Sequence, residues 1–238
     1  LVKIYIARVK ISIFKKKIMT KLRLVFDVEE ETLVNSSYII DKKLLNNIAM
    51  FLSNLRNSDR EVILVTAGAI ASGIERLHLS GYPPTLAEKQ AVAAIGQVEL
   101  IKRYQNIFDE YTQMIAQVLL ARDIINNPKQ QKNAKNTFRK LLSLGIIPII
   151  NENDTISTAD IEQENNYILT ATVASITNAH ALIVINKDFS FKVLCKGNNF
   201  YYAIASKEDL LHFLSKLDIA SLHKKKFSYP TIFPKQGM

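Results

Sequence analysis

Five short apolar stretches recur along the chain, and helix-patterned segments separate them: Arg23–Val28, Glu61–Val65, Gln113–Leu119, Ile146–Ile150 and Ala181–Ile185. Short, near-continuous apolar runs of this kind read as strands buried on both faces. Alternation with helices over most of a chain predicts an α/β fold with a mostly parallel sheet covered on both sides. Asp41–Asn57 carries Leu44, Leu45, Ile48, Phe51, Leu52 and Leu55 at helical spacing, with Asp41 as N-cap. Glu88–Tyr111 is a long helical pattern, expected to break or kink near Gly96, and Pro128–Leu144 a helix with proline in its first turn. Tyr167–Asn178 is a helix of small residues, and Lys207–Leu217 a last helix. Between them, Phe189–Cys195 and Asn199–Ala205 form a hairpin around Lys196-Gly197-Asn198.

Within this frame GIIPIINENDTISTAD, residues 145–160, is the stretch with most chemistry. The run Ile146–Ile150 leads into Asn151, Glu152, Asn153 and Asp154, then Thr155, Ser157 and Thr158, read together as a polar loop. Open α/β sheets place ligands just past the carboxyl ends of their strands. A plain polar turn that caps the next helix fits the same spacing. Thr66-Ala67-Gly68-Ala69-Ile70-Ala71-Ser72-Gly73 follows another strand, where small residues allow either an exposed backbone turn or close packing.

Charge and glycine content narrow the function. The net charge is +9, but residues 1–18 hold six Lys or Arg and no acid, and without them the balance falls to +3. That segment is expected to be disordered or no part of the natural product, with Met19 as the start, so basicity does not argue for a nucleic-acid partner. The basic tail from His223 is expected to be loosely ordered. One cysteine, Cys195, excludes an internal disulfide and fits a reducing, cytoplasmic setting. No apolar run approaches the roughly 20 residues of a membrane span. His78, His180, His212 and His223 are scattered without ligand spacing, so no metal site is expected. Glycine is scarce, seven of 238 residues, about 3% against a usual share of about 7%. Backbone cradles for phosphate usually need glycine, and no G-x-G-x-x-G or G-x-x-x-x-G-K-[ST] pattern is present.

Five blocks carry a resemblance. VTAGAIASG (65–73), KQAVAAIGQ (89–97), AQVLLARD (116–123), NAKNTFRKLL (133–142) and IPIINENDTISTADI (147–161) stand in the order and spacing of the glutamate 5-kinase branch of the amino acid kinase family. The resemblance covers about residues 23–188. It implies a three-layer α/β/α sandwich over residues 19–222, incomplete in its carboxyl-terminal nucleotide part. It also implies a dimer or tetramer, and transfer of the γ-phosphoryl group of ATP, with Mg²⁺, to the side-chain carboxylate of L-glutamate in proline biosynthesis.

Residue by residue, the resemblance is uneven. Asp154 and Asn166 occupy amino-acid-binding positions, while Ala67 replaces a serine there. Asp27 stands where the family carries a lysine, and Glu29-Glu30 where it carries Gly-Ser. Tyr167 takes the place of the aspartate that orients the active-site lysines. Asn186 and Lys187 replace a nucleotide-side Thr-Asp, and a later glycine-rich segment with a second catalytic lysine has no counterpart. Phosphoryl transfer depends on neutralising spreading negative charge. An acid about 4 Å from a phosphate opposes it by several kcal/mol at an effective dielectric of about 20. The expected outcome is a kinase-like scaffold with an impaired or inactive site.

Overall fold

The computed structural model describes residues 21–121, 124, 126–156, 167–198, 201–223 and 225. The basic segment 1–18, Arg122-Asp123, Ser157, Thr158, Glu164-Asn165-Asn166 and most of the tail lie outside the described residues, as does the side chain of Tyr167.

Seven described strands form one sheet in the order β3-β4-β2-β1-β5-β6-β7. They are β1 (Arg23–Val28), β2 (Glu61–Thr66), β3 (Ile115–Leu120), β4 (Ile147–Glu152), β5 (Ala181–Ile185), β6 (Phe191–Cys195) and β7 (Tyr202–Ile204). The first five run parallel, while β6 and β7 add antiparallel strands beyond β5. The helices are α1 (Glu30–Leu33), α2 (Lys42–Asn57), α3 (Ala69–Leu77), α4 (Leu86–Glu110), α5 (Pro128–Ser143), α6 (Tyr167–Thr177), α7 (Lys207–Ser215) and α8 (Ile219–His223).

Two apolar cores, one on each face, make three layers. On one face Leu24, Phe26 and Val28 of β1 pack with Leu45, Ile48 and Phe51 of α2 and Leu100, Tyr104 and Phe108 of α4. On the other, Val25 joins Phe138 and Leu142 of α5 and Leu169, Val173 and Ile176 of α6. Alternate residues of a strand face opposite ways, so one strand feeds both cores. The central parallel strands read as near-continuous apolar runs for this reason, whereas β3, at the edge of the sheet, is largely unburied.

Helix starts follow capping chemistry. Asp41 accepts from the Leu44 N–H at 3.0 Å, and Asn127 accepts from Gln130 at 3.1 Å just before Pro128. Thr85 and Glu88 form a reciprocal capping box.

Two expectations need correction. Asn151 and Glu152 are not loop residues: β4 extends through both, and both are buried. Nor is the helix interrupted at Gly96, since α4 runs unbroken for 25 residues. Gly96 is there for contact: a Cβ on it would lie 1.7 Å from the Ala69 carbonyl oxygen, and one on Gly73 would lie 2.1 Å from that of Val92. The short helix α8 lies beyond the last helix that the sequence pattern indicates.

Candidate functional site

The carboxyl ends of β1, β2, β4 and β5 lie side by side. Asp27 is in register with Val65 of β2 and Val184 of β5, Val65 pairs Ile150 of β4, and Val28 pairs Thr66. Ala67, the turn Asn153–Ile156, and Asn186 and Lys187 all follow directly from these strand ends. The topology therefore gathers Asp27, Ala67, Asp154, Asn186 and Lys187 along one edge of the sheet. Asn166 lies outside the described residues, and Tyr167 opens α6.

β2 passes into α3 through Gly68, whose φ of 98° is a left-handed conformation that suits glycine. Ala67 just before it is half-buried and brings no hydroxyl. Thr66 faces the α4 side, where its hydroxyl and that of Tyr104 lie 2.7 Å apart in a buried hydrogen bond. Burial drives the Tyr104 phenol well above its ordinary range.

After β4 the backbone folds into a turn. The Asn153 N–H donates to the Leu120 carbonyl at 2.9 Å, and the Ile156 N–H to the Asn153 carbonyl at 3.2 Å. The Thr155 hydroxyl donates to Asn153 Oδ1 at 2.6 Å. Asp154 is half-buried within that turn. Asn151 Oδ1 accepts from the Glu152 N–H at 2.8 Å, which leaves Asn151 Nδ2 buried with no partner. Gln97 of α4 clamps the strand end by donating to the Glu152 carbonyl at 3.1 Å.

Asp27 is the outlier. It is completely buried, on the α5/α6 face by alternation with Val25, and neither carboxylate oxygen has a hydrogen-bond partner. Glu29, two residues on, has a buried Oε1 that is also unpartnered. Burial first, and then the charge of Glu29, pushes the Asp27 carboxyl up to about 8. The Thr170 hydroxyl of α6 and the Val28 N–H face Asp27 and pull the other way, more weakly, without closing hydrogen bonds of good geometry. Ser72 in α3 adds another buried, unpartnered hydroxyl.

Among the described residues, cations are few on this edge. Lys187 is exposed in the β5–β6 turn. Asn186 spends its side chain on that turn, donating to Ser190 Oγ at 2.8 Å. The buried lysine, Lys196, follows β6 at the opposite, amino-terminal edge, where it donates to Asn178 Oδ1. Its ammonium is held below the ordinary lysine range by burial and by nearby Arg23.

The sequence singles out Asp27 but misses Thr170 and Ser72. A hydroxyl residue one turn into a helix of small residues gives no signal until the fold brings it over a strand end.

These features define an open, mostly parallel α/β protein with a polar site at the carboxyl ends of its central strands, a class that binds ligands there. The amino acid kinase family matches residues 34–188, and the chain belongs to that family. Glutamate 5-kinase of Enterococcus faecalis is 40% identical to it over 176 residues, which cover 72% of this chain and 65% of the relative. Glutamate 5-kinase of Listeria monocytogenes is 41% identical over 176 residues, 72% of this chain and 64% of the relative. Within its family the chain is thus glutamate 5-kinase-like, and it spans about 65% of the length of the curated relatives it matches. Carbamate kinase from Giardia lamblia bound to AMP-PNP shows 12% identity and a TM-score of 0.47, covering 70% of this chain and 71% of its own. UMP kinase from Ureaplasma parvum shows 14% identity and a TM-score of 0.44, covering 69% and 68%.

Proposed function

We propose that this chain is a glutamate 5-kinase-like protein that keeps the scaffold and part of the amino-acid seat but has lost efficient phosphoryl transfer. The observation that carries this is Asp27. The resemblance puts a lysine at the end of β1, and here a buried carboxylate stands there with a second acid, Glu29, beside it. A transferring phosphoryl group needs positive charge and backbone donors at that point; a buried acid held largely protonated supplies no positive charge, and Glu29 beside it opposes the phosphate. Glu29 replaces the glycine of the turn, with an extended backbone at φ −74° and ψ 159°. Lys187 and Lys196 do not fill the gap, one being exposed and the other at the far edge.

In this reading Asp154 faces the ammonium of L-glutamate, Asn166 its carboxylate, and Ala67 leaves one contact unmade. Asn186, Lys187 and Tyr167 are substitutions that weaken ATP and Mg²⁺ handling. The domain spans residues 19–222, flanked by basic extensions, and acts as a homo-oligomer in the cytoplasm. The opposing reading is an active glutamate 5-kinase, which draws on the 40% identity.

Calorimetric titration separates the two, with Mg²⁺ held equal in cell and syringe. The expected result is no ATP binding at millimolar concentration and no hydroxylamine-trappable glutamyl phosphate. Saturable ATP binding together with ATP-dependent acyl phosphate would overturn the proposal and establish the active kinase.

A further inference from the structure

We propose that Asp27, Glu29 and Thr170 form a binding site for one hard divalent cation, of the Mg²⁺ or Mn²⁺ class, that fills without nucleotide. Three observations converge. Both Asp27 oxygens are buried and lack a partner. Glu29 Oε1, from the residue after β1, is buried and unpartnered, and its charge acts on Asp27. The Thr170 hydroxyl, from a different element, is fully buried, unpartnered and aimed at Asp27.

Buried polar groups in folded proteins are nearly always satisfied, and an unpaired buried carboxylate is among the costliest exceptions. Among the described residues no lysine, arginine or histidine forms an ion pair with Asp27 or Glu29. A proton shared between the two acids removes one charge but leaves most of these oxygens unmatched. A cation satisfies them together.

The donor set selects the ion. Two carboxylates and a hydroxyl, with no nitrogen or sulfur, suit hard oxygen-seeking cations over zinc or copper. Mg²⁺ keeps several waters and typically binds one or two carboxylates. Glu29 is only partly buried, which leaves a side open to those waters. The cation would lie beside the position where the resemblance puts a lysine. The inference does not depend on whether the chain transfers phosphate, because it concerns the ion alone.

The test is titration of the full chain, freed of metal with EDTA, with Mn²⁺ followed by electron paramagnetic resonance and without nucleotide or glutamate. Expected is one saturable Mn²⁺ per chain, displaced by Mg²⁺. Asp27→Asn and Glu29→Gln should each weaken binding at least about tenfold, while Glu31→Gln, at an exposed position, leaves it unchanged. Mg²⁺ should also raise the melting temperature of the parent and not that of Asp27→Asn. Absence of saturable Mn²⁺ binding, or binding that survives Glu29→Gln unchanged, overturns the site. So does stabilisation by K⁺ without any by Mn²⁺.

Discussion

Gly96 of α4 lies against Ala69 of α3 so closely that a Cβ on Gly96 would stand 1.7 Å from the Ala69 carbonyl oxygen and 2.5 Å from the Gly73 nitrogen. Both neighbours are backbone and cannot swing aside. Gly96→Ala therefore has to push α3 and α4 apart, and α3 is the helix that β2 enters directly through Gly68. Overpacking costs about 1–3 kcal/mol and more where nothing yields, so a loss at the top of that range is expected. Urea denaturation checks it. A loss under about 0.5 kcal/mol would mean that the helices separate easily. Gly73→Ala, facing the Val92 carbonyl at 2.1 Å, should behave alike.

The same residue shows where sequence is readable and where it is not. Glycine inside a helical pattern suggests a break, since glycine is a poor helix former. The partner that makes Gly96 necessary is 27 residues away in the chain, and local periodicity carries no trace of it. Strand ends show a similar limit. Ile147, Ile149 and Ile150 identify β4 by composition, whereas Asn151 and Glu152 look like a turn because polar residues seldom continue a buried strand. Their burial follows from β3 alongside, where Leu119 and Leu120 pair with them. By contrast β1, β2 and β5 are legible because burial on both faces gives each an apolar run, Leu24–Phe26, Val62–Val65 and Ala181–Ile185. At the site, Asp27 stands out in the sequence as an acid where the resemblance places a lysine, but its missing partners are a property of the packed structure alone.

Asp27 should make stability depend on pH when divalent cations are chelated. Burial holds its folded carboxyl up at about 8, against an ordinary aspartate value of 3.8. Between those values the folded chain holds one proton more than the unfolded chain. Unfolding free energy therefore falls as pH rises from about 4, and the loss is complete above about 8. The full span corresponds to an effect on the order of 5 kcal/mol. Melting temperatures in EDTA across pH 5 to 9 should decline for the parent and much less for Asp27→Asn, which keeps the shape without the charge. Parallel curves for the two proteins would show that Asp27 is not the titrating group.

Tyr104→Phe tests the buried contact behind β2. The Tyr104 and Thr66 hydroxyls lie 2.7 Å apart with no exposure to water. Removing one leaves Thr66 with a weaker contact to the Ala67 carbonyl at 3.3 Å. An expected cost of about 1–2 kcal/mol follows from leaving a buried hydroxyl poorly satisfied. Chemical denaturation measures it, and an unchanged midpoint would show that Thr66 finds another partner at no cost.

Restoring a single cation should not restore a kinase. Asp27→Lys returns the residue type that the resemblance places at the end of β1. The new ammonium would meet Glu29 first, since that acid already acts on position 27. An ion pair formed there spends the charge that a phosphate would need. The turn beyond it stays unsuited as well. Glu29 is extended at φ −74° and ψ 159°, and α1 begins at the acidic pair Glu30 and Glu31. Backbone donors preorganised for an oxyanion do most of the work in such sites, and one side-chain exchange does not create them. The hydroxamate assay with ATP, Mg²⁺ and L-glutamate should give no product for Asp27→Lys. Product above the parent's background would show that charge at position 27 alone limits the reaction, and that the turn after β1 already serves as a phosphate cradle.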